Sequence, residues 1–163
     1  MSLGQRITDD HQLARLLQIG VVLEEVVESR AHHHLDSFDA GDRDPAVEAL
    51  LEEAAEESAA HRDRLEALVS DLNAETVPYE EINALVEAQY AQTAPEDFDD
   101  LLYDQLCNEE TAYKFYDDLI EAIEASDTEF SIDRERVLGV LAEIREEEAE
   151  GVEEVTELME AHQ

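Results

Sequence analysis

Apolar residues recur every three or four positions along four long stretches of the chain, the spacing of a helix that buries one face. The first stretch carries Leu13, Leu17, Val21, Val27, Ala31, Leu35 and Phe38. Thr8 is placed to cap it, with Asp9 and Asp10 at the positive end of the helix dipole, so the pattern predicts a helix over Asp9–Phe38. Asp39-Ala40-Gly41-Asp42-Arg43 reads as a turn, after which Asp44 caps a second helix. Pro45 fills its first position, and it runs to Leu72 on Val47, Leu50, Leu51, Ala54, Leu65 and Leu68. Between Asn73 and Pro95 the pattern changes. Pro78 and Pro95 bracket a short amphipathic helix with Ile82, Leu85 and Val86, inside a long connection. A third long helix is expected over Glu96–Ala125, with Leu102, Leu106, Ala112, Tyr113, Tyr116, Ile120 and Ile123 on one face. Ser126-Asp127-Thr128 ends it. Ser131 is expected to cap a fourth, which reaches Glu160 on Val137, Leu138, Leu141, Ile144, Val152, Val155 and Leu158.

Helices of about 27 to 30 residues are roughly 40 to 45 Å long and can pack along their whole extent. Short turns after the first and third give two antiparallel hairpins. The middle connection is long enough to run the length of the bundle, bringing the third helix in parallel to the second. The expected fold is therefore all-α, a four-helix bundle with one long crossover connection containing a short helix, in a single domain over residues 1–163. Ile19, Val22 and Val26 widen the apolar arc of the first helix, and point to a second covered face and a homodimer.

Charge narrows the function classes. The chain has 163 residues, 45 acidic against 10 basic, and a formal net charge of -35. Phosphate-driven binding of nucleic acid and attraction to an anionic membrane surface are excluded by that balance. A 44% hydrophobic fraction in helical spacing argues against disorder. Nine of the basic residues are Arg and one is Lys114, a scarcity of Lys that fits a halophile's protein, since molar salt shortens the Debye length to about 3 Å. Cys107 alone makes neither an intrachain disulfide nor a thiolate zinc site. With no long apolar run and no basic-then-apolar leader, a cytoplasmic location is expected.

Each apolar stripe is interrupted near its middle by a residue able to ligate a metal: Glu24 on the first helix, His61 with Glu57 one turn earlier on the second, Glu109 on the third and Glu148 on the fourth. Carboxylates gathered in low dielectric repel one another and lose hydration, so they persist there only if protonated, hydrated or bridged by cations. His32-His33-His34 point in successive directions on a helix, so at most one of them shares such a site. His32, one turn after Glu28, is the candidate.

On these residues the chain resembles the ferritin-like superfamily, and within it the rubrerythrin-type branch, over about Leu13 to Leu158. Glu109 followed seven residues later by Tyr116 is similar to the family's third-helix pattern, and Glu24-Glu25-Val26-Val27-Glu28 to its first-helix pattern. The family places Glu-x-x-His on its second and fourth long helices. Here Ser58 replaces the Glu of one copy, with His61 retained, and Gly151 replaces the His of the other, with Glu148 retained. The resemblance implies iron, as a pair or a single ion, with manganese also suited to the donor set. It implies oxidation of ferrous iron by dioxygen or peroxide, with Glu57 or Glu28 assisting Glu24, His61, Glu109 and Glu148. The rubredoxin-type centre of rubrerythrins has no cysteine pairs here. The competing expectation is a catalytically inactive bundle that serves as a structural or protein-interaction module.

Overall fold

The computed structural model describes residues 7–36, 44–89 and 98–161, the side chains of 85–89 and 98–100 excepted. Five helices and no strand are found among the described residues: α1 (Asp10–Asp36), α2 (Pro45–Asp71), α3 (Tyr79–Gln89), α4 (Phe98–Ala125) and α5 (Arg134–Ala161). Phe38, the 39–43 turn, Pro95 and Glu96 lie outside the described residues, as do the side chains of Leu85 and Val86.

The helix ends have local causes. Asp44 caps α2 as expected, its carboxylate accepting from Ala46 N at 2.9 Å, with Pro45 following. At α1 the cap is Asp9 and not Thr8: the Asp9 carboxylate accepts from Gln12 N at 2.8 Å, while the Gln12 amide oxygen reaches back to Thr8 N. Nor does Ser131 cap α5. Asp133 does, its carboxylate accepting from Glu135 N at 3.3 Å and its carbonyl from Val137 N, whereas the Ser131 hydroxyl accepts from Asn73 N.

Cross-helix pairs fix the directions. Along α1 and α4, Ile7 O accepts from Ser126 Oγ at 2.5 Å near one end, Glu24 meets Tyr116 midway, and Arg30 meets Asn108 beyond it. Along α2 and α5, His61 meets Glu148, Arg64 meets Glu143 and Asp71 meets Arg136. His61 lies beside Glu24 across α1 and α2, and Arg145 bonds Asp117 across α4 and α5. With Gly20 against Leu65 and Gly151 against Glu109 as second contacts, these four neighbouring pairs of long helices are antiparallel. Because α2 and α4 lie antiparallel to the same neighbour, they run parallel to each other.

The apolar core is in two clusters. The larger joins Leu13, Leu17 and Val21 of α1 to Leu65 and Leu68 of α2, Tyr116 and Ile123 of α4, and Leu141 and Ile144 of α5. The smaller joins Ala31, Val47, Leu51, Ala55, Leu102 and Val155 at the opposite end. Gly20 permits the close fit of α1 in the larger cluster, since a Cβ there would lie 3.1 Å from Leu65 Cδ1 and 3.3 Å from Phe115 Cε1.

Two readings of the stripes need correction. Tyr113, expected on the buried face of α4, is exposed; Phe115 is buried in its stead. Val22, expected to face a partner, is buried within the chain, where Ile82 of α3 joins the same cluster with Ile19 and Val26 packed against it. The wide apolar arc of α1 is therefore used inside one chain.

Candidate metal centre

Between the two apolar clusters lies a polar layer. Its level is set by helical periodicity: Glu24 continues Leu17 and Val21 on α1, His61 precedes Leu65 on α2, Glu109 precedes Ala112 and Tyr116 on α4, and Glu148 follows Ile144 on α5. All four side chains are buried, Glu24 and His61 at 1% exposure, Glu148 at 5% and Glu109 at 7%. A buried carboxylate is costly without a partner, so this layer is held against the hydrophobic effect by its own contacts.

His61 Nδ1 is 3.4 Å from Glu24 Oε1 and 3.2 Å from Glu148 Oε1. Neither approach is aligned as a hydrogen bond, so Nδ1 is a buried nitrogen with no hydrogen-bond partner. Glu24 Oε2 is likewise buried and without one. Glu24 is held from its other oxygen, Oε1, which accepts from the Tyr116 hydroxyl at 2.7 Å. Donor atoms of Glu24, His61 and Glu148 all lie within 4.8 Å of one another. Two ligand atoms about 2.1 Å from a shared ion are separated by roughly 3.0 to 3.4 Å at octahedral to tetrahedral angles, which is the spacing seen about Nδ1.

Glu109 joins this trio through Glu148, their carboxyls sharing a hydrogen bond, and through Gln105, whose Nε2 donates to Glu109 Oε1 at 2.9 Å. Its other oxygen leans over Gly151: a Cβ there would stand 2.6 Å from Glu109 Oε2. Gly151 thus gives up its side-chain space to a carboxyl from α4. Ser58, one turn before His61 on α2, is also buried.

Glu57 does not enter the trio. It lies on the outer side of His61, with Oε1 3.8 Å from Nε2, next to Glu147, which bonds the same nitrogen. Glu147 escaped the sequence reading, although like Glu57 it precedes a motif position and falls at the edge of its helix's stripe. Glu28 pairs with Arg62 at 2.6 Å, and His32 is exposed 3.9 Å from Glu28, so neither reaches the site. The buried histidine of the triplet is His34, whose Nε2 lies 3.1 Å from Asp104 Oδ2 beside Arg30.

Electrostatics follow from this crowding. Burial, with the neighbouring carboxyls of Glu109 and Glu24, holds Glu148 far above the usual carboxylate range. Burial also raises Glu109, against the opposing hydrogen bonds of Glu148 and Gln105. Glu57 is pushed up to about 8, by burial first. Burial opposes a charged His61, but the close approach of Glu24 and Glu147 outweighs it and carries the imidazole from 6.5 to about 9. The Tyr116 phenol is raised well above 10 by burial and by the charge of Glu24 and Glu148. Without a cation, the layer is balanced by protons on acids and a charged imidazole.

Asp117, Asp118 and Glu121 form another acidic group on α4, outside the bundle interior and tied to Arg145 and Lys114. No helix among the described residues is long and apolar enough to cross a membrane. Comparison with known protein families, with curated proteins and with solved structures returns no match for this chain.

Proposed function

We propose that this chain is a ferritin-like metal-binding protein that holds iron among Glu24, His61 and Glu148, with Glu109 as the adjoining carboxyl. The observation that carries the reading is a pair of buried atoms without hydrogen-bond partners, Glu24 Oε2 and His61 Nδ1, gathered at ligand spacing with Glu148. One imidazole and several carboxylates suit ferrous iron, and also manganese. Bound there, iron supplies one-electron chemistry toward dioxygen or peroxide.

The protein's own part is positional. Tyr116 fixes Glu24 by bonding Oε1 and leaves Oε2 as the donor. Gln105 anchors Glu109, and Glu109 in turn holds the Glu148 carboxyl. The clusters on either side exclude water, so cation binding replaces the protons that otherwise offset the buried charge.

One observation favours the inactive bundle: Glu109 is already satisfied by Gln105 and Glu148 in the space of the missing histidine. Anaerobic loading with ferrous iron in molar salt separates the two readings. A metal protein takes up iron that survives the salt, changes its absorption when air is admitted, and binds at least about tenfold more weakly as Glu24→Ala. Equal or absent uptake in both proteins leaves the structural module. Weak uptake at many sites, lost in salt, identifies the acidic surface as the binder.

A further inference from the structure

The ring of His61 faces two different carboxylate pairs. Its inner nitrogen, Nδ1, lies against Glu24 and Glu148 and has no hydrogen-bond partner. Its outer nitrogen, Nε2, faces the seam between α2 and α5, where Glu147 bonds it and Glu57 lies 3.8 Å away. Glu57, His61 and Glu147 place donor atoms within 4.8 Å of one another, as the inner three do. The inner acids are sealed, whereas the Glu57 and Glu147 side chains are 29% and 43% exposed. His61 itself is 1% exposed, so a single buried ring separates a trio open to solvent from a closed one.

We propose that Glu57, Glu147 and the outer nitrogen of His61 form a loading site for a divalent cation, which passes from there to Glu24, Glu148 and the inner nitrogen of the same ring. The proposal rests on the reading of the inner trio as a cation site. A neutral imidazole has one lone pair, so it ligates through one nitrogen while the other carries the proton. With the ion outside, Nδ1 carries the proton beside Glu24 and Glu148. With the ion inside, Nε2–H donates to Glu147, the contact already present. His61 therefore serves the two trios in alternation, one nitrogen at a time. Neither Glu57 nor Glu147 stands at a motif position; each precedes one, Ser58 and Glu148 respectively.

Stopped-flow absorption with cobalt(II) tests this on the full chain in molar salt. A Debye length of about 3 Å then removes long-range attraction and leaves direct contact. Glu57→Gln/Glu147→Gln keeps shape and, by circular dichroism, helicity. It should reach the wild-type cobalt content and final spectrum about tenfold more slowly. Each single variant should be slowed in part, and Glu121→Gln on the remote α4 cluster not at all. Filling of the double variant at the wild-type rate, or equal slowing by Glu121→Gln, overturns the loading site while leaving the inner site standing; loss of the final bound cobalt from the double variant puts the equilibrium ion on the outer acids and overturns both. A wild-type chain that takes up no cobalt overturns both.

Discussion

Gly151 decides where the Glu109 carboxyl can sit. A Cβ there would stand 2.6 Å from Glu109 Oε2, and the atom in the way is the end of a flexible side chain, which can move. Gly151→Ala should therefore change stability by less than about 1 kcal/mol, because helix propensity gained near the middle of α5 offsets a lost hydrogen bond. Affinity for manganese should fall about tenfold as Glu109 is displaced from Glu148. Denaturant unfolding and calorimetric titration read the two effects separately; a stability loss with unchanged affinity would mean the Glu109 position is only packing. The protons of the layer give a second prediction. Glu57 shifts from 4.5 to about 8 and His61 from 6.5 to about 9, and Glu109 and Glu148 also shift upward. For all four the folded protein holds protons that the unfolded chain has released. Their contribution is therefore complete at low pH and is lost as pH rises, through about 8 for Glu57 and about 9 for His61. The melting temperature of ion-free protein in constant salt should fall between about pH 5 and 9, and Glu57→Gln should flatten the part of the fall below pH 8.

At the scale of elements, the start of α5 tests which residue caps it. Asp133→Ala should cost about 1 kcal/mol and speed amide exchange at Glu135 and Val137, while Ser131→Ala should leave those amides protected. The long helices were legible because a 3.6-residue period sustained over many turns has no other cause, and Asp44-Pro45 marks a start with two independent signals. The neighbouring ends were less so. Thr8 and Asp9, or Ser131 and Asp133, are all competent caps, and the choice falls to tertiary bonds such as Ser131 to Asn73 that no local pattern contains. The candidate site divides the same way. Glu24, His61, Glu109 and Glu148 were legible because each interrupts an apolar stripe. Glu147 was hidden in a run of acids, and the buried pairing of His34 with Asp104 arises only where α1 lies against α4. Tyr113 and Phe115 lie near opposite edges of one arc, and packing alone decides which goes in.

For the molecule as a whole, charge is the governing quantity. Several arginines bridge helices: Arg30 joins α1 to α4, Arg62 joins α2 to α1, Arg64 and Arg136 join α2 and α5, and Arg145 joins α5 to α4. Set against 45 acidic residues, these bridges leave most of the repulsion unanswered. The Debye length grows from about 3 Å in molar salt to about 30 Å at 10 mM, enough to span the bundle. Circular dichroism should therefore show most helicity lost on dialysis into millimolar buffer and regained with potassium chloride; a spectrum indifferent to salt would refute the halophilic reading. The two hairpins also divide the inner donors evenly, Glu24 and His61 coming from α1 and α2, Glu109 and Glu148 from α4 and α5. An ion bound there, as proposed, would act as a rivet through both halves of the molecule. On the proposed reading, its removal would loosen the waist of the bundle before either rim.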